Sequence, residues 1–94
     1  MGQEIKQAKV LIKGRVQMVN YRTWTKSKAD ELGLKGWVRN TSDGSVEALL
    51  QGSKEKIDEM ITLCKEGPKF AKVDSLDIAW QEADAAIESF EILR

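Results

Sequence analysis

The stretch GRVQMVNYR, Gly14 to Arg22, lies between a short alternating run and a polar segment of helical composition. A strand-to-helix junction of this kind is suited to an oxyanion. The first backbone N–H groups of a helix have no internal partners, and the helix dipole is positive at that end. Consecutive loop amides can add a nest around the same point. Arg22 contributes a planar, permanently charged fork that grips phosphate through two parallel hydrogen bonds. A second polar group, Asn40, stands at the end of a later alternating run. Each residue taken alone has an ordinary explanation: an arginine in a first helical turn is usually solvated, and an asparagine after a strand usually caps a turn.

The rest of the composition limits what chemistry such residues can join. The chain has no histidine, so a Ser-His-Asp triad, a Cys-His pair and imidazole ligation of zinc are all excluded. Its single cysteine, Cys64, allows neither an internal disulfide nor a cysteine-based metal site. That thiol falls on an apolar helical stripe and reads as core. Trp24, Trp37 and Trp80 read as packing residues. Fifteen basic and fifteen acidic residues cancel, so the electrostatic footprint of bulk nucleic-acid binding is missing. No apolar run serves as a signal peptide or crosses a bilayer, and a cytoplasmic location, away from membranes, is the expectation.

Positioning these groups falls to a chain of 94 residues, one domain with 41% apolar and 32% charged residues. Residues 1–7 are expected to be a flexible N-terminus. Ala8, Val10 and Ile12 alternate with Lys9, Leu11 and Lys13, which predicts a strand. Tyr21 to Leu32 predicts a helix with Tyr21, Trp24, Ala29 and Leu32 inward, stopped by Gly33. Lys35–Thr41 and Ser45–Gln51 predict two strands joined by SDG, a strong hairpin signal because Asp and Gly tolerate positive φ. Ser53 can cap a second helix whose apolar stripe is Ile57, Met60, Ile61 and Cys64, ended by Gly67 and Pro68. In a strand from Lys72 to Trp80, Leu76, Ile78 and Trp80 run out of phase with Ala71 and Val73. That mismatch predicts a bulge near Asp74 or Ser75. Phe90 and Ile92 predict a short last strand after a polar loop. The order β-α-β-β-α-β is that of the α+β ferredoxin-like sandwich, an antiparallel sheet with two helices on one face.

Many activities share that sandwich, but here the motifs narrow the field. The chain resembles the acylphosphatase family. The family's first signature is glycine, any residue, Val-Gln-Gly-Val, any residue, Phe-Arg; this chain has Gly14, Arg15, Val16, Gln17, Met18, Val19, Asn20, Tyr21, Arg22. The second signature is matched in full by Gly36, Trp37, Val38, Arg39, Asn40, Gly44, Val46 and Gly52. The segment KEGPKFAKVDSL adds to the likeness, which spans nearly the whole chain. The resemblance implies hydrolysis of the carboxyl–phosphate bond of small acyl phosphates. Loop residues Arg15, Val16, Gln17, Met18, Val19, Asn20 and Tyr21 would cradle the phosphate with Arg22, and Asn40 would orient the attacking water. A carboxylate leaves readily and the substrate's own phosphate oxygen is able to take the water's proton. No metal, cofactor or protein base is therefore implied. Inorganic phosphate is an expected ligand, and a monomer is the expected state. An RNA-binding module of the same topology would need aromatic residues on its third strand, and Ser45–Gln51 has none.

Two positions depart from the first signature. Tyr21 replaces phenylalanine, which is mild if its hydroxyl finds a partner. Met18 replaces the central glycine. If that position has positive φ, methionine adds roughly 1–2 kcal/mol of strain and its side chain can crowd the cradle. If φ is ordinary and the side chain points outward, little changes. Asn20 sits where the pattern is free and tolerates a left-handed backbone. Two readings stay open on sequence alone: an active acylphosphatase, or a catalytically weak relative that binds phosphate or a partner without significant turnover.

Overall fold

The computed structural model describes residues 4–94. The first strand, β1 (Ile5–Arg15), is the spine of the sheet. It is followed by α1 (Tyr21–Glu31), β2 (Lys35–Asn40), β3 (Val46–Ser53), α2 (Lys54–Glu66), β4 (Lys72–Gln81) and β5 (Phe90–Ile92). β1 begins earlier than its alternation shows, with Ile5, Lys6 and Gln7 paired to Ser53, Gly52 and Gln51. A flexible segment reaching residue 7 is thus corrected: Ile5–Gln7 are strand, and residues 1–3 lie outside the described residues. Gln7 is held because its amide donates to Gln51 Oε1 at 2.9 Å, in a buried side-chain pair.

The sheet order is β4-β1-β3-β2-β5. Three of the pairings are antiparallel, but β5 runs parallel to β2, with Gly36, Trp37 and Val38 opposite Phe90, Glu91 and Ile92. The wholly antiparallel sheet expected from the sequence is therefore corrected to a mixed one. The chain leaves β4 at one edge, crosses the sheet through residues 82–89 and returns along the free edge of β2. Gln51 anchors that crossing: its side chain donates to Asp84 O at 2.9 Å and accepts from Asp84 N at 2.8 Å.

Both helices cover one face, as the period-two and helical stripes require. Ala8, Val10 and Ile12 of β1 meet Ile57, Met60, Ile61 and Cys64 of α2 in one core with Tyr21, Ala29 and Leu50. In α1 the buried set is Tyr21, Thr25 and Ala29, while Trp24 and Leu32 are only partly buried. Ser53 caps α2 by accepting from Lys56 N. The bulge in β4 is at Asp74, since Lys13 pairs with Ser75 and the next residue, Gly14, pairs with Val73. Gly14 must be glycine there: a Cβ would lie 2.2 Å from Lys72 O. The bulge and this glycine end the β1–β4 ribbon at Arg15 and turn the chain into the loop before α1. No helix among the described residues is long and apolar enough to cross a membrane.

Candidate anion site at the head of the first helix

Residues 16–20 connect β1 to α1. Val16 is fully buried and pins the start of this loop to the core. Met18 and Asn20 then adopt left-handed backbone, φ 62° and 67°, with Val19 at negative φ between them. Such alternation curls successive amides toward a common centre. Asn20 is the N-cap of α1 and its side chain makes no capping bond, although its carbonyl accepts from Trp24 N at 3.1 Å. The head of the helix therefore keeps N–H groups free for an anion. No acidic residue stands in the first turn to compete for them.

Two hydrogen-bonding devices, one partly and one fully buried, hold the loop in shape. Gln17 turns away from the centre and donates to both Thr41 O and Ser45 O at 2.8 Å, fastening the loop to the β2–β3 turn. Tyr21 donates its hydroxyl to Cys64 O at 2.6 Å. That carbonyl needs an outside donor because its partner four residues on would be Pro68, which has no N–H. Burial beside this carbonyl raises the Tyr21 hydroxyl well above its ordinary value, and burial likewise pushes the Cys64 thiol up to about 12. Neither group is available as a nucleophile or base near neutral pH.

Arg22 follows in the first turn of α1. Its Nη1 donates to Leu93 O at 3.3 Å, just after β5, and Leu93 N in turn donates to Val38 O at 2.8 Å. The guanidinium is thereby steered by a backbone anchored to β2. Asn40 ends β2, paired with Val46, and its side-chain amide has no hydrogen-bond partner among the described residues. Behind it the turn is stiffened by Asp43, whose carboxyl lies below its usual range because Thr41 and Ser45 donate to it. Gly44, φ 92°, supplies the positive φ that the Asp-Gly turn requires.

These elements meet around a cavity of about 110 Å³ lined by Val16, Met18, Asn20, Tyr21, Arg22 and Asn40. Six of the nine residues marked out in the sequence are thus brought together. The other three are not: Arg15 is exposed at the end of β1 opposite Lys72, Gln17 faces the hairpin, and Val19 packs on the core. Thr23 also lines the cavity and was not marked. Its only signal was its place in the first helical turn after Arg22. The backbone at Met18 has the costly positive φ, while its side chain is wholly solvent-exposed, so each of the two sequence expectations for this residue holds in half.

Residues 8–92 match the acylphosphatase family model. The chain belongs to the acylphosphatase family. An acylphosphatase of Nitrobacter winogradskyi is 56% identical over 68 residues, covering 72% of this chain and 69% of that one. One from Roseiflexus sp. is 38% identical over 90 residues, 96% of this chain and 97% of its own. Among solved structures, acylphosphatase from Bacillus subtilis superposes with a TM-score of 0.91 at 30% identity, covering 97% of this chain and all of that one. The two acylphosphatase signatures thus fall on the loop before α1 and on the β2–β3 hairpin, the two segments that Gln17 ties together.

Proposed function

We propose that this acylphosphatase-family chain hydrolyses acyl phosphates to a carboxylate and inorganic phosphate by direct attack of water at phosphorus. The observation that carries this reading is the convergence of Arg22, Asn40 and the left-handed loop on one small cavity at the head of α1. The loop amides from Val16 to Tyr21 and the Arg22 guanidinium hold the phosphoryl oxygens. As the P–O bond breaks, this fixed set of donors stabilises the charge spread over them. Asn40, whose side-chain amide has no partner among the described residues, holds the attacking water in line with the departing carboxylate. The water's proton passes to a phosphoryl oxygen of the substrate, and the carboxylate leaves without needing a proton.

The side chains of Arg15, Gln17 and Val19 shape the loop rather than touch the substrate, which accords with where they lie. The reading includes a monomer acting in the cytoplasm on a small substrate. Its support is a core completed within one chain and a free, buried thiol.

The test is steady-state hydrolysis of benzoyl phosphate by the native chain and two variants. Asn40→Ala should lower kcat by about 10²–10³ with little change in KM, the usual effect of removing one fixed polar group from such a site. Arg22→Ala should abolish both turnover and competitive inhibition by inorganic phosphate. Unchanged kcat in Asn40→Ala would remove the water-positioning role.

A further inference from the structure

The cavity between Arg22 and Asn40, about 110 Å³, suits a phosphoryl group and leaves the acyl group of a substrate outside it, on the protein's rim. Met18 stands on that rim. Its side chain is 100% exposed, against 71% for Phe70, 54% for Ile5 and 45% for Trp80. Three of the other exposed apolar groups have a partner or a place on a sheet edge. Lys69 Nζ lies 5.5 Å from the centre of the Phe70 ring, Lys54 Nζ lies 5.5 Å from that of Trp80, and Ile78 belongs to the edge strand β4. Met18 has no such account. It also occupies a left-handed backbone, φ 62°, that strains any residue with a Cβ. A side chain that strains the loop and adds nothing to the core stabilises no part of the fold. Departures of this kind from local preference concentrate at functional sites.

We propose that Met18 is a specificity-determining residue that contacts the acyl group, so that the preferred substrates are acyl phosphates with an aromatic acyl group. The inference rests on the acyl-phosphate reading above and adds a substrate class to it. A thioether on an unbranched stem with three rotatable bonds can fold over a ring held just outside the cavity, and sulfur–ring contacts are favourable. An acetyl group offers it almost no surface. Contact of this size corresponds to a preference of about fivefold to tenfold for a phenyl over a methyl acyl group.

Binding of two non-hydrolysable phosphonates, benzoylphosphonate and acetylphosphonate, tests this by titration calorimetry, with inorganic phosphate as the reference ligand. The ratio of the two affinities is the readout. It should be about fivefold or more in the native chain, fall to near one in Met18→Gly, and lie between the two in Met18→Leu, which keeps an apolar side chain at the same place but lacks the sulfur. Met18→Gly relieves the backbone strain, so loss of folding is not a concern. A ratio that Met18→Gly leaves unmoved overturns the inference while the anion site stands. Failure of inorganic phosphate to bind the native chain overturns the anion site, and this inference with it.

Discussion

Tyr21 shows how one hydroxyl couples the candidate site to the core. Its bond to Cys64 O supplies a helix-end carbonyl that Pro68 leaves without a donor, and it fixes the first residue of α1 against α2. Tyr21→Phe should therefore destabilise the chain by about 1–3 kcal/mol, the cost of leaving a buried acceptor unpaired. The same bond gives a pH signature. The folded state holds the phenol protonated far above its ordinary value of 10.0. Above that pH the unfolded chain binds fewer protons than the folded one, so stability falls as pH rises. The stabilising difference between native and Tyr21→Phe should be constant up to about pH 9 and shrink by about 1.4 kcal/mol by pH 11. Urea unfolding at both pH values measures it, and a difference independent of pH would show that the hydroxyl is not buried as described. The pairing was not legible in the sequence, because Tyr21 and Cys64 are 43 residues apart. Arg22 and Asn40 were legible only through the two motifs, since each alone has an ordinary structural explanation.

At the scale of elements, local chemistry carried the sequence reading where it is strong. The Asp-Gly turn, the Ser53 cap, the Ile57–Cys64 stripe and the phase break at Asp74 each appear in the structure. What escaped depends on distant partners. A three-residue alternation such as Phe90–Ile92 looks the same in parallel and antiparallel pairing, so the direction of β5 had no local mark. Gln7 extends β1 because Gln51 satisfies its amide, again across the sheet. Glycines divide in the same way. Gly36 and Gly33 both have positive φ, 139° and 71°, yet a Cβ on Gly36 would lie 1.8 Å from Leu49 O while nothing lies within 4 Å of one on Gly33. Gly33→Ala should cost about 1 kcal/mol, the left-handed strain alone. Gly36→Ala should cost about 3 kcal/mol or more, because β2 must move away from β3 and carry Asn40 with it. Urea unfolding of the two variants separates these costs; equal losses would mean that β2 and β3 are not as closely apposed as described.

For the whole molecule, the site is a joint between otherwise separate parts: the end of β1, the head of α1, the β2–β3 turn and the backbone after β5. The proposed phosphate site needs all of them together, so anion binding should stabilise the entire fold rather than one loop. A ligand that binds only the folded state at ten times its dissociation constant adds about 1.4 kcal/mol. In a domain of this size that raises Tm by roughly 6–11 °C. Inorganic phosphate should produce that shift in the native chain and in Asn40→Ala, whose missing group is proposed to act on water, but not in Arg22→Ala. Thermal unfolding at constant ionic strength, with chloride replacing phosphate, measures it and separates binding from general salt effects. A shift that survives in Arg22→Ala would locate the phosphate elsewhere on the surface. A shift lost in Asn40→Ala as well would make that residue part of the phosphate cradle rather than the holder of the attacking water.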